Sequence, residues 1–456
     1  MEYTRELARF CAGVSFDDLP EEVLRKAKLC VLDFVANIYG SLELEAVRKV
    51  VDYYQGQAGA GVSVLGCGFK TNVRDAAFVA GVLAEAIEAQ DGVRFGGNHP
   101  CSAVIPAALA MAEWHGLTGA RVLEAVVTGY EAANRTAASM HPFHTLSGFL
   151  PTGTCGAFGA AAASARLMDL GPESTLNAMG NAGYLLPISM AEDLMGGYTV
   201  KILQGGQAAL VGILAAGMAD AGVTGHPQAL EGSELGGGFT QITLRGGAEP
   251  VLERITDGLG ERYTIMDVYF KPYTACRHTH GAAQATLELM AEHGVGAEAV
   301  DSVLVRTYAI AAVAVGKGVP KEGSFVSAQF STPYVVAACL LDGVMGPAQL
   351  TETRMADPAI MELAGRVTVE MDDELNAIYP DKTASRVELC LKDGGKLVRQ
   401  VDIPRGDPRD PMEEEEISDK LERFAALREG RETDRIIELV LGLEDLKDIT
   451  ELTGAI

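Results

Sequence analysis

The sequence predicts a mainly α fold, with a large all-helical domain and a smaller α+β domain inserted near its C-terminal end. Three observations carry this expectation. The chain has 456 residues and is 48% hydrophobic, long for a single core. Glycine is abundant (52 residues) and aromatics make up only 6%, a composition that lets helices pack closely. The hydrophobic spacing changes from helical to alternating at about residue 268.

The helical part can be followed element by element. Pro20 with Glu21 and Glu22 suits a helix start. Val23, Leu24, Ala27, Cys30, Val31, Phe34, Val35 and Ile38 recur at helical spacing, and Gly40 ends the run. Similar patterns fill 72–89, 102–116, 119–138, 156–169, 173–190 and 201–221, separated by glycine-containing turns. Residues 62–66 make at most a short strand. Beyond 268, segments 300–309 and 365–373 alternate and are rich in β-branched residues, and 385–403 reads as a hairpin about Asp393, Gly394 and Gly395. Helical segments at 281–293 and 331–342 interleave with them. The stretch 411–445 is helical again, and its acidic run suits a solvated helix N-terminus. The expected division is therefore 1–267 with 404–456 for the helical domain and 268–403 for the α+β insertion.

Charge and motifs narrow the chemistry. A net charge of −25 argues against nucleic acid or an anionic membrane surface as partner. An anionic substrate would then need a local basic pocket. No apolar run of about 18 residues stands out and the start has no signal-like segment, so a cytoplasmic protein is expected. The eight cysteines are scattered with no CxxC pair, which gives zinc or iron–sulfur ligation little support. Gly153, Gly156 and Gly159 are spaced for close helix packing, not for a dinucleotide. His141 and His144 lack an acidic partner at metal-ligand spacing, and there is no P-loop or GxSxG elbow. No metal and no cofactor are expected.

Four segments place ionisable residues in turns beside helices. The first holds Glu88, Asp91, Arg94 and His99 between two helices; its plain alternative is a surface loop with a capping histidine. The second, around Thr152 to Cys155, is a turn feeding an Ala-rich helix, whose N–H groups are either capped by Thr152 or Thr154 or bind a carboxylate. The third puts Lys201 on an apolar segment, as a snorkelling surface residue or a carboxylate ligand. The fourth gathers Lys271, Cys276, Arg277, His278 and His280 before a helix, either a solvated basic turn or the required pocket.

Together these segments resemble the MmgE/PrpD family of 2-methylcitrate dehydratases, cis-aconitate decarboxylases and iminodisuccinate epimerases. The resemblance rests on the acidic cluster before His99–Pro100, the "PTGTCGAFGAAAA" turn and helix at 151–163, "KPYTACRHTH" at 271–280, "QFSTPYVVAACLLDG" at 329–343 and "YPDKTASRVEL" at 379–389. It runs over nearly the whole chain in order. It implies a helical domain plus a smaller α+β domain, a homodimer, and catalysis without a cofactor. By matching motifs it implies catalytic roles for Glu88, Asp91, His99, Lys201 and Lys271. Two departures count against decarboxylation: Leu150 stands where relatives carry a histidine in "GFHPT", and Cys276 stands where the decarboxylase type has a histidine.

These residue types suit proton transfer beside a carboxylate. Removing a proton from that carbon builds charge that fixed cations stabilise; Lys201, Lys271 and Arg277 are candidates, with Arg94 a further one. Thr152, Cys276, His278 and His280 complete the expected substrate-binding set. A histidine such as His99, with Glu88 or Asp91 orienting it or sharing the transfer, suits the base. The expected enzyme is a lyase of the hydro-lyase type acting on a small di- or tricarboxylate. An epimerase is the alternative, a decarboxylase is less favoured, and a carboxylate-binding protein is the non-enzymatic reading.

Overall fold

The computed structural model describes residues 2–320, 323–426 and 432–456. Helices account for 58% of the protein, so the fold is mainly α. The hydrophobic helices Val73–Ala86, Cys101–His115, Gly119–Met140, Pro151–Leu167 and Leu203–Asp220 pack side by side. Two of the three spaced glycines explain how closely, while Gly153 faces the Ser189 side chain of a connecting segment. A Cβ on Gly156 would lie 2.8 Å from the Ala103 methyl, and one on Gly159 would lie 2.6 Å from the Gly129 carbonyl oxygen. Only hydrogen fits at such contacts.

The region expected to be all-helical also contains strands. Val62–Val64 pairs antiparallel with Phe69–Thr71, and Gly92–Val93 pairs with Val268–Tyr269. The second ribbon ties the turn that precedes His99 to the start of the segment holding Lys271.

Residues 268–403 carry a four-stranded sheet. Its order is Val367–Met371, Val300–Thr307, Ser385–Leu391, Lys396–Val401; the first pair is parallel and the others are antiparallel. Helix His280–His293 packs on the hairpin and on Thr332–Asp342. The chain then returns: Glu414–Ala425 lies against the long helix Glu21–Ser41. One apolar core joins both regions, from Val31 and Val82 through Ala107 to Val303, Leu389 and Leu421. Residues 427–431 of the predicted C-terminal helical stretch lie outside the described residues.

The reading that no segment could span a bilayer needs correction. Thr199–Asp220 is long and apolar enough by length and composition, and 67% of that apolar stretch is buried. Its hydrophobicity is used in packing against Pro151–Leu167 and Val73–Ala86.

Candidate active site

The site centres on a turn, residues 86–91, between the end of helix Val73–Ala86 and the short strand Gly92–Val93. Glu88 adopts φ 54°, a left-handed backbone that costs a non-glycine residue about 1–3 kcal/mol. Tertiary contacts hold it there. Lys271 Nζ donates to Glu88 Oε1 at 2.8 Å and to the Glu88 carbonyl at 3.1 Å. Lys201 Nζ donates to Glu88 Oε2 and sits 2.8 Å from Glu85 Oε1, which also accepts from Gln204 Nε2 at 2.6 Å. All four charged side chains are nearly or fully buried.

The result is an alternating array, Lys271–Glu88–Lys201–Glu85, neutral as a whole. Burial would raise the Glu88 pKa, but Lys201 and Lys271 reverse this and hold the carboxyl well below its usual range. Burial disfavours the Lys201 ammonium, and Glu85 and Glu88 more than offset it, so Lys201 stays charged. Neither lysine snorkels.

His99 stands beside the array and is half-buried. Its Nδ1 lies 2.6 Å from the Asp91 carbonyl oxygen, which can only accept, so Nδ1 carries the hydrogen and Nε2 keeps its lone pair. Its backbone N–H donates to Thr152 Oγ1 at 2.9 Å. Burial, then Lys271, lowers its pKa to about 4, so the imidazole is neutral near pH 7. Asp91 orients the ring through its backbone alone. Its carboxylate accepts from Tyr130 Oη at 2.6 Å and from the Cys101 N–H at 3.2 Å, and burial pushes its pKa up to about 6.

The remaining predicted residues divide. The Cys276 thiol is buried; burial, followed by Glu88, raises its pKa to about 11. His278 Nδ1 pairs with the Tyr308 hydroxyl, and burial, followed by Lys271 and Arg277, lowers its pKa to about 4. Three groups are taken up by the backbone. The Arg277 guanidinium donates to the carbonyls of Pro404 (2.6 Å) and Arg405 (2.8 Å) and lies over the Tyr269 ring. Arg94 donates to the carbonyls of Pro380 and Asp381. His280 is fully buried, with Nε2 3.0 Å from the Ala275 carbonyl. Thr152 serves His99 and not a free helix terminus.

Several participants escape sequence reasoning: Glu85, Gln204, Tyr130 and Gln329, whose Nε2 donates to the Ala86 carbonyl at 2.8 Å. Glu85 had a signal, since a residue three before Glu88 in a helical pattern faces the same side. The cavities of about 650 Å³ beside Tyr184 and His226 and of about 380 Å³ beside Arg9 and Tyr263 both lie away from the array. His99, like Arg94, Arg277 and His278, keeps partial exposure.

Two matches settle the lineage. Residues 5–250 match the MmgE/PrpD N-terminal domain and residues 273–445 the MmgE/PrpD C-terminal domain. The chain belongs to the MmgE/PrpD family. A cis-aconitate decarboxylase of Aspergillus terreus is 27% identical over 98% of this chain and 94% of its own length. The cis-aconitate decarboxylases of Mus musculus and Homo sapiens are each 26% identical over 99% of this chain and over 92% and 93% of their own lengths. At the level of the family, MmgE/PrpD proteins of this kind are lyases acting on carboxylates.

Proposed function

We propose that this chain is a cofactor-independent hydro-lyase that removes a proton beside a carboxylate of a small di- or tricarboxylate and expels a β-hydroxyl as water. The observation that carries this reading is the buried Lys271–Glu88–Lys201 array beside a histidine whose Nε2 is free to accept a proton.

The steps follow from the groups. His99 Nε2 takes the proton from the carbon next to the substrate carboxylate. Charge builds on that carboxylate, where the Lys271 and Lys201 ammonium groups, fixed in place by Glu88 and Glu85, supply positive ends. The electron pair then forms the new double bond as the hydroxyl leaves. The His99 imidazolium returns its proton to that hydroxyl, which departs as water, and the histidine is neutral again.

Decarboxylation is the second reading, because the curated relatives bear that name. Leu150 and Cys276, at the two positions where the family resemblance places histidines, weigh against it. A protonated Cys276 thiol does not replace a histidine titrating near neutrality.

The test is proton NMR in D₂O with 2-methylcitrate, citrate, cis-aconitate and iminodisuccinate, each supplied separately, beside His99→Ala. Water loss or deuterium entry at a carbon next to a carboxylate, abolished in the variant, is expected. Loss of CO₂ from cis-aconitate would replace dehydration by decarboxylation. Binding without any exchange, read as a raised melting temperature, would make the protein a carboxylate binder.

A further inference from the structure

The turn that carries Glu88 is held from four directions by side chains acting on its backbone. Gln329 Nε2 donates to the Ala86 carbonyl at 2.8 Å, Lys271 Nζ to that of Glu88 at 3.1 Å, and His99 Nδ1 to that of Asp91 at 2.6 Å. The fourth is Lys420, on the C-terminal helix Glu414–Ala425, far away in sequence. Its Nζ donates to the Ala89 carbonyl at 2.6 Å and to Asp33 Oδ1 at 2.6 Å, and both Lys420 and Asp33 are fully buried.

Packing does not require this pair. A buried ion pair is costly to desolvate, and apolar residues of similar volume are often as stable or more so. What leucine or methionine could not do is hold the Ala89 carbonyl. That carbonyl follows the strained residue Glu88 and lies two residues before the carbonyl that fixes the His99 tautomer.

The geometry points to Lys420, set by Asp33, as a positioning residue that fixes the Glu88 carboxylate and the His99 ring through the Ala89 carbonyl. Lys420 touches neither the reacting atoms nor the predicted catalytic side chains directly. It deepens the proton-transfer reading, and its kinetic consequences rest on that reading.

The test compares two double variants. Lys420→Met with Asp33→Leu removes both polar groups at similar volume. Lys420→Gln with Asp33→Asn removes the charges but keeps a donor for Ala89. Circular dichroism melts first establish that both fold; if the apolar pair does not, Lys420→Met with Asp33→Asn replaces it. With the substrate that turns over in the panel above, the donor-free variant is expected to lose about 10- to 100-fold in kcat with KM within about threefold. The Gln/Asn variant is expected to stay within about threefold of the parent.

A second readout needs no substrate. In ¹⁵N-labelled protein the His99 imidazole, assigned by its absence in His99→Ala, shows a bonded Nδ1–H and an unprotonated Nε2. The donor-free variant is expected to lose or shift the Nδ1–H signal, and the Gln/Asn variant to retain it. An unchanged signal in a folded donor-free variant overturns the inference. So does equal loss in both folded variants, which would make the charge, and not the donor, the cause. If no substrate turns over while the NMR arm behaves as expected, the lyase reading fails and the positioning role stands.

Discussion

At the scale of single residues, protonation decides what this site can do. His99 keeps its pKa near 4 because burial and Lys271 disfavour its charged form. As the proposed base, His99 is therefore competent from neutral pH down to about 4. The acidic limb of kcat/KM in the free enzyme is expected near pH 4, not near the ordinary histidine value of about 6.5. A limb at 6 to 7 that persists across substrates would remove His99 from this role. Asp91 shifts the other way, from 3.8 to about 6. A raised carboxyl pKa means that the folded state binds the proton more tightly. Its contribution to stability is full below the unfolded value and is lost as pH rises through about 6. Asp91→Asn has no such loss. Relative to the parent, it should gain stability between pH 4 and 7, on the order of 3 kcal/mol at 1.36 kcal/mol per unit. Urea melts at pH 4.5, 5.5 and 7 measure this; a difference that stays flat or shrinks with pH refutes it.

At the scale of elements, the interiors of helices were legible in the sequence and their ends were not. Spacing alone placed the helices over 102–116 and 119–138 within a few residues of Cys101–His115 and Gly119–Met140. The pattern over 72–89 overshot because the chain leaves the helix at Ala86, and Glu88 turns left-handed with no glycine or asparagine to announce it. What stabilises that turn is Lys201 and Lys271, and local sequence cannot show contacts more than a hundred residues away. The pattern over 173–190 overshot for a readable reason: Pro187 disfavours helix at the residue before it, and the helix ends at Leu185. Of the candidate site, the sequence singled out Glu88, His99 and both lysines, but not the mutual neutralisation of Glu88 with Lys201 and Lys271. Lys420 also left a trace, because it falls on the apolar stripe of Ile417, Leu421 and Phe424, where a charge needs a buried partner. Helix packing offers its own test. A Cβ on Gly159 would meet the Gly129 carbonyl at 2.6 Å, the Ala133 methyl at 2.8 Å and Val104 at 2.9 Å. Gly159→Ala should therefore destabilise the protein by about 1–3 kcal/mol, although alanine is the better helix former. A melting temperature equal to or above that of the parent would show that these helices can move apart freely.

At the scale of the whole molecule, the surface carries large apolar side chains that the fold leaves in water. Leu146, Tyr184, Ile188, Met190, Tyr198 and Val200 are all exposed. Two of the segments that carry them are joined by backbone pairing: Phe149 bridges Met190, and the Leu150 N–H donates to the Ser189 carbonyl at 2.8 Å. Exposed apolar residues grouped along neighbouring segments mark an interaction face. The MmgE/PrpD resemblance implies a homodimer, so we propose a second copy of this chain as the occupant. Val200 lies in the short helix Thr199–Ile202 that carries Lys201, and Tyr198 immediately precedes it, which makes this face continuous with the support of the candidate site. Pairing would cover Tyr198 and Val200 and so restrain the segment whose Lys201 already meets Glu85 and Glu88. Sedimentation at micromolar concentration is expected to give twice the monomer mass. Tyr184→Glu combined with Ile188→Glu should split the particle and lower turnover, while leaving helical content unchanged. A parent that sediments as a monomer would leave this face without its proposed occupant. A variant that dissociates yet keeps full turnover would uncouple assembly from Lys201.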